Sequence, residues 1–367
     1  MSANRDQHFV PQFYFRRFTA GRAAVHLLLT NSGRIVLNAS VRSQCSGHRF
    51  YGSAKAEQLL TQLEVKHAPA LRAIAEAANT SDYTRVTPED YLHLLQSILL
   101  QRSRTALQVD KVKDTPTNLL MPRFRAYIAS KSDIENREEI LNAIDKGQVR
   151  VVETRETAVF RQIAIAMECV ILISDLGACV LRNLTDYPFI FSDSPVVLYN
   201  TLYSQIRSRG VLGLQSPGLQ IFYPLGPDML VMLYDRDAYH AVHEGHFDIT
   251  ERSDVSQLNA MQLHHSLNAV YFGDRETQDY VATLWLAHRH AVVKPTIECR
   301  ILHDAIVDGK TSSYPVLQML EPQLNVQLRL SFIHCQLIPE ANYRFRRRNP
   351  ELMAEFKKRT NMADIEL

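Results

Sequence analysis

Phe189-Ile-Phe191, Val196-Val-Leu-Tyr199, Leu219-Gln-Ile-Phe-Tyr223 and Met229-Leu-Val-Met-Leu-Tyr234 are four short runs of β-branched, aromatic and aliphatic residues. Segments containing Pro, Gly, Ser and Asp separate them, the punctuation expected between strands. Upstream of Pro188 the chain reads differently. Residues 54–79 are rich in Ala, Leu, Glu and Gln, with Ser53 as their N-cap and Pro69 predicted to break or kink the helix. Thr87-Pro88-Glu89-Asp90 supplies a capping residue, a proline at the first helical position and two acids for the positive helix end. Leu92, Leu95, Ile98 and Leu99 then recur at the spacing of one buried helical face. Weaker helices over 116–130 and 133–146 and a long one over 155–181 follow. Helices first and strands later predict an α+β fold rather than βαβ alternation.

Toward the N-terminus, residues 25–29 and 34–37 flank Asn31-Ser32-Gly33 as a short hairpin. Toward the C-terminus, helices over 254–267 and 275–290 enclose a strand at 269–272. The expected architecture is a helical N-terminal half with that hairpin, followed by a mostly antiparallel sheet flanked by helices. Residues 1–290 are expected to form one α+β core, helix-rich over 50–185 and strand-rich over 186–275. Residues 291–367 follow as an extension with a basic tail.

The chain has 367 residues, of which 46% are hydrophobic and 22% charged, the balance of a globular protein and not of a disordered one. The net charge of +2 is unevenly spread. From Arg344 onward seven Lys or Arg face four Asp or Glu, so a tail of +3 sits on a body of −1. Five cysteines, widely spaced and without a Cys-x-x-Cys pair, argue against a disulfide framework and a zinc ribbon. The polar first residues lack the apolar stretch of a signal peptide, and the expected compartment is the cytoplasm. The apolar segment 163–181 is about long enough to cross a bilayer. Glu168 and Asp175 near its middle favour a buried helix instead, so no membrane contact is expected.

His8-Phe-Val-Pro-Gln-Phe-Tyr-Phe-Arg-Arg-Phe18 opens the chain with five aromatic rings. Glu57 and Glu64 follow on the first long helix, Gln101-Arg102-Ser103-Arg104 ends the second, and Phe191-Ser-Asp-Ser-Pro-Val196 succeeds the helical region. Phe222-Tyr-Pro-Leu-Gly-Pro227 and Asn259 complete a consistent order over roughly residues 5–275. This set resembles a bacterial family known as domain of unknown function 4238 (DUF4238). The resemblance implies no agreed reaction, but it implies that these scattered polar residues meet in space. Where the family more often has Asn, this chain has Ser194, which removes a side-chain amide.

Each motif has a chemical and a structural reading. His8 is suited to general base or metal ligand chemistry near pH 7, or to a hydrogen bond that fixes the aromatic segment. Glu57 and Glu64, seven residues apart, share one helix face and can hold Mg²⁺ or Mn²⁺ with further ligands, or form a solvated acidic stripe. Glu64-Val-Lys-His67 is one Glu-x-x-His step, where a di-iron site wants two. Gln12, Gln101, Arg102 and Arg104 could grip a phosphate, since a guanidinium offers a fork of donors. The arginines also suit a helix C-terminus without any ligand.

Asp193, between Ser192 and Ser194, ends a buried strand, a position that serves metal or acid–base chemistry or simply a turn. Ser192 and Asn259 are candidate substrate contacts. Arg161, Glu168, Asp175 and Arg182 recur every seven residues and read as a charged stripe on the long helix. His240, His243 and His246, with His264 and His265 later, offer imidazoles for a transition metal or ordinary loop positions. Arg344, Arg346, Arg347 and Arg348, beside Tyr343 and Phe345, could contact nucleic acid by stacking and charge, or form a solvated face.

The chain lacks a P-loop, a Rossmann fingerprint, a Gly-x-Ser-x-Gly elbow and a His-Glu-x-x-His motif, which excludes the classes built on them. The leading expectation is a metal-assisted hydrolase of a phosphodiester in RNA or DNA. His8 would move the proton, Glu57, Glu64 and Asp193 would hold the cation, and Arg102 or Arg104 would bind phosphate. The alternatives are a non-catalytic module binding nucleic acid or a small phosphorylated ligand, and a structural protein whose polar positions form a core network.

Overall fold

The computed structural model describes residues 6–52, 54–112, 115–149, 154–206, 211–240, 245–291, 298–302, 306–307, 310–311, 316–320, 322–335 and 347–360. The helices among them are α1 (Gln12–Phe18), α2 (Ala54–Thr80), α3 (Pro88–Ser103), α4 (Ala106–Val112), α5 (Thr115–Ser130), α6 (Arg137–Asp145), α7 (Arg155–Glu168), α8 (Arg252–His265), α9 (Gln278–His288) and α10 (Pro350–Arg359). The strands up to residue 272 fall into two stretches. β1 (Asp6–His8), β2 (Ala24–Leu29), β3 (Ile35–Ser40) and β4 (Ser46–His48) precede the helices. β5 (Gly177–Asn183), β6 (Phe191–Ser192), β7 (Val197–Tyr199), β8 (Gln220–Gly226), β9 (Met229–Tyr234), β10 (Tyr239–His240), β11 (Gly245–Ile249) and β12 (Ala269–Phe272) follow them. The fold is α+β, with mostly antiparallel sheets flanked by helices.

One sheet runs β3-β2-β12-β6, antiparallel throughout. Its hairpin closes as expected: the Gly33 amide donates to the Leu29 carbonyl at 2.8 Å. Gly33 has φ +73°, and a Cβ there would lie 2.5 Å from the Trp285 ring, so both conformation and space require glycine. The second sheet runs β11-β5-β9-β8-β7, and its one parallel pair is β11–β5.

Every residue of β8 and β9 is buried, because the sheet is covered on both faces. Ile221, Tyr223, Val231 and Leu233 enter one core with α1, α2, α3 and α7. The alternating Phe222, Leu230, Met232 and Tyr234 enter another with α8 and α9. Residues beyond 290 complete that second core through Leu324, Val326, Leu328, Leu330 and Phe332. They are fixed beside α8 by Ser331, which donates from N and Oγ to Asp254 at 3.0 and 2.6 Å.

Thr87 makes the predicted capping box with Asp90. Three sequence expectations need correction. The long helix over 155–181 ends at Glu168, passes through a 3₁₀ turn (Cys169–Ile173) and becomes β5. An apolar run buried in a sheet and one buried in a helix have the same composition. A Cβ on Gly177 would stand 2.7 Å from the Tyr234 ring across the β5–β9 pair. The seven-residue charged stripe therefore does not exist as one face: Arg182 pairs with Asp248 on β11, and Asp175 with Arg348. Pro69 lies inside α2, which continues to Thr80; packing of Leu60, Ala70, Leu71 and Ile74 outweighs the one hydrogen bond that proline removes. Ser53 lies outside the described residues. No helix among the described residues is long and apolar enough to cross a membrane.

Two buried histidines make this fold sensitive to acid. His67 on α2 faces His93, with ring centroids 5.9 Å apart, and its Nε2 has no hydrogen-bond partner. His264 on α8 is 3.1 Å, Nε2 to Nδ1, from His288. Burial pulls both pKa values down to about 4. Folded-state values below the unfolded one give stability that is present above pH 6.5 and lost as pH falls toward 4. The loss amounts to as much as roughly 3 kcal/mol per residue. Thermal unfolding at pH 7 and 4.5 is expected to show a large drop that becomes smaller in His67→Leu/His264→Leu; an identical drop in that variant would reject these two groups as the cause.

Candidate functional site

The aromatic rings of the opening segment are core, and they aim the polar residues between them. Tyr14 stacks on Tyr223 at 5.2 Å and 9°, and Phe18 packs on Phe191 at 4.3 Å. Tyr14 Oη donates to the Pro224 carbonyl and Arg17 Nε to the Leu225 carbonyl. The first motif is thereby bound to Phe222-Tyr-Pro-Leu-Gly-Pro227. β1 pairs with β4, placing His8 opposite Ser46.

Arg104, just past the end of α3, is 3% exposed and makes three contacts. Nε donates to Tyr51 Oη at 3.0 Å, one terminal nitrogen to Glu64 Oε1 at 2.5 Å, and the other to the His8 carbonyl at 2.6 Å. Tyr51 Oη in turn donates to the same His8 carbonyl at 2.8 Å. Burial works against the charge, but Tyr51 and Glu64 more than offset it and raise the guanidinium above its ordinary pKa. Gln101 Nε2 donates to the Phe9 carbonyl at 3.0 Å. Gln7 receives the Tyr51 amide at 2.6 Å and donates to Glu57 at 3.4 Å. Arg104 and Gln101 are thus committed to holding β1, and neither is placed to grip a phosphate as the sequence suggested.

What they hold in place is His8. Its Nε2 lies 2.9 Å from the Arg42 carbonyl, so the neutral ring carries its proton there and keeps the lone pair on Nδ1. Gln12 Nε2 is 3.5 Å from the same ring nitrogen. Burial lowers the His8 pKa first of all; the Arg42 carbonyl, Glu57 and Glu64 raise it and Arg104 lowers it. The net is a half-buried imidazole, neutral at pH 7, in the field of two half-buried carboxylates.

Asp193 stands apart from this cluster. Its carboxylate accepts the backbone amides of Leu267, Asn268 and Ala269 at 2.8, 2.7 and 3.2 Å. Burial pushes its pKa up to about 6 against the pull of those amides. It ties the β6 turn to the start of β12. Ser192 donates Oγ to Gln262 Oε1 at 3.0 Å, and Asn259 bridges the Ile190 amide and the Pro188 carbonyl at 3.0 and 2.9 Å. Ser194 Oγ lies 3.4 Å from Thr105 Oγ1, the residue after Arg104, which links the two regions.

Arg348 is 4% exposed at its side chain and pairs bidentately with Asp175 at 2.9 and 2.8 Å. That contact docks the tail instead of presenting Arg348 to nucleic acid. Arg347 is half-buried; Arg344, Arg346, His243 and the side chain of His240 lie outside the described residues. His246 bonds Ser81 Oγ at 3.2 Å and stacks on Tyr83. Among the described residues no group of three or more His, Cys, Asp or Glu side chains stands together to hold a metal ion. Tyr51, Gln7, Gln262 and Thr105 escaped the sequence reading, because the partners a buried arginine recruits are set by tertiary contacts and leave no local signal.

The contacts define an α+β protein in which an N-terminal segment carrying one half-buried histidine is clamped by a buried arginine that also pairs with Glu64. A family model described as a protein of unknown function (DUF4238) matches residues 6–276, and the chain belongs to that family. No curated protein and no solved structure matches it.

Removing Arg104 leaves Glu64 and Tyr51 Oη without the donor they share, and the His8 carbonyl with Tyr51 Oη alone. Arg104→Leu is expected to lower unfolding stability by about 3–5 kcal/mol. Asp193→Ala, which orphans three backbone amides, is expected to cost about 2–4 kcal/mol. Urea denaturation measures both, and unchanged midpoints would show that these contacts are not structural.

Proposed function

We propose that the protein is a hydrolase of phosphodiesters, with RNA or DNA as substrate and its reacting centre at His8, Glu57 and Glu64. The observation that carries this reading is the neutral, half-buried His8 whose Nε2–H is engaged by the Arg42 carbonyl, leaving Nδ1 as proton acceptor. In the reaction a water oxygen attacks phosphorus, its proton passes to Nδ1, the ester P–O bond breaks, and the departing alkoxide takes a proton from solvent to leave as an alcohol while the imidazolium returns its own proton to solvent. Glu57 and Glu64 are the groups that would hold Mg²⁺ or Mn²⁺, which supplies charge neutralisation at the phosphate. Arg104 positions His8 through its main chain, and Glu64, already paired with Arg104, would have to bind the cation through its other oxygen, while Asp193 takes no part. Gln12, whose amide stands beside the imidazole, would contact the substrate.

The test incubates RNA and single- and double-stranded DNA with the protein, with Mg²⁺ or Mn²⁺ and with chelator. Cleavage is expected to need the cation and to fall by about 10²–10⁴ in His8→Gln, with a comparable loss in Glu57→Gln. Because the folded environment lowers the His8 pKa, the base form persists through neutral pH. The acid limb of kcat/KM is then expected below pH 6.5. Cleavage that survives both substitutions, or no cleavage of any substrate, overturns the reading.

A further inference from the structure

We infer that Ser81 and His246 form a second reactive site, an acyl-transfer pair that acts on small uncharged carboxylic esters. Ser81 is the first residue after α2, and His246 is the second residue of β11. Ser81 Oγ lies 3.2 Å from His246 Nε2, a nucleophile within hydrogen-bond reach of a base. The serine is exposed and the imidazole half-buried, so a substrate reaches both from solvent.

The surrounding contacts direct the hydroxyl proton. Arg182 Nη1 donates to the same Oγ at 3.2 Å. A guanidinium only donates, so Oγ accepts there and its own proton is left for Nε2. Tyr83 fixes the imidazole, with the two rings 6.0 Å apart and inclined by only 13°. Asp248 stands two residues beyond His246, on the same face of β11. Arg182 clasps its carboxylate at 2.5 and 2.7 Å. Those bonds hold the Asp248 carboxyl below its usual range against burial, and His246 adds to the pull. An anion is thus held within electrostatic reach of the imidazolium that the reaction forms.

A simpler account makes the Ser81–His246 contact a tie between the end of α2 and the sheet. Ser81 has φ +55°, a conformation in which helices often end and in which glycine is at ease. Serine bears a steric cost there, and the tie does not explain why its oxygen meets a base on one side and a cation on the other. That arrangement suits acyl transfer. Oγ attacks the ester carbonyl carbon as its proton passes to Nε2, and Arg182 Nη1–H faces the oxyanion. The carbon–oxygen bond to the alcohol breaks, and Nε2 returns the proton to the departing oxygen. Water then attacks the acyl group on Ser81, its proton passes through Nε2 to Oγ, and the carboxylic acid leaves. Asp248 neutralises Arg182 and Asp82 follows Ser81, which favours an uncharged acyl donor over a phosphoryl group. This inference is independent of the His8 reading, because it concerns other side chains and another bond.

The direct experiment incubates the full chain with p-nitrophenyl acetate, follows release of nitrophenolate, and maps the acetyl group by mass spectrometry of peptides. The acetyl group is expected on Ser81. Ser81→Gly removes the nucleophile at a position whose backbone suits glycine, so the helix end keeps its shape. Release is expected to fall by about a hundredfold in Ser81→Gly and in His246→Gln, with thermal unfolding showing both variants folded. Acetyl groups on lysines alone, release undiminished in either variant, or Ser81 acetylated as fast in His246→Gln as in the parent would overturn the inference.

Discussion

A guanidinium removed from water must recover its lost hydration from fixed acceptors, and the position of Arg104 follows from that requirement. Tyr51, Glu64 and the His8 carbonyl come from three separate parts of the chain and meet on its three nitrogens. Tyr51 Oη and the His8 carbonyl also bond to each other, and Glu64 is joined to them through the guanidinium. The strand β1, the helix α2 and the end of α3 are therefore joined through one side chain, with Gln7 and Gln101 adding to the tie. A half-exposed histidine acquires a defined tautomer and a defined surrounding as a result.

The turn from Gln101 to Thr105 carries opposite duties on successive residues. Gln101 and Arg104 reach toward β1, Thr105 touches Ser194, and Arg102 lines a recess with Leu198 and Leu212. At the end of a helix, side chains separated by one or two positions diverge around the axis. A four-residue motif can therefore serve two regions that share no side chain. This is also why a motif of two arginines reads in sequence as a single phosphate grip, when the structure gives one arginine to packing and one to a recess.

Much of the fold was legible where local chemistry agreed with tertiary demand. The Thr87 capping box, the Asn31-Ser-Gly33 turn and the strand at Ala269–Phe272 are determined by residues close together in sequence. The passage from α7 into β5 was not, because the choice between helix and strand for Val170–Leu181 depends on neighbours supplied by β9 and β11, more than forty residues away. The candidate site divides in the same way. Glu57 and Glu64 share a helix face by spacing, and the family resemblance brought His8 to them. The commitment of Asp193 to three backbone amides could not be read, because those amides belong to the entry of β12 and main-chain donors leave no mark in a sequence.

The second core has a schedule as well as a shape. Its sheet face and α8 are made before residue 270, yet Leu324 through Phe332 close over them only after a further stretch of roughly 60 residues. At about 5–20 residues per second, a growing chain carries Val255, Leu258 and Phe272 without that cover for roughly 3–12 s. Arg348 then engages Asp175 and the 3₁₀ turn later still. Ribosomal synthesis thus exposes an apolar surface that the finished protein never shows, and an early stop in translation would leave it permanently open to chaperones and proteases.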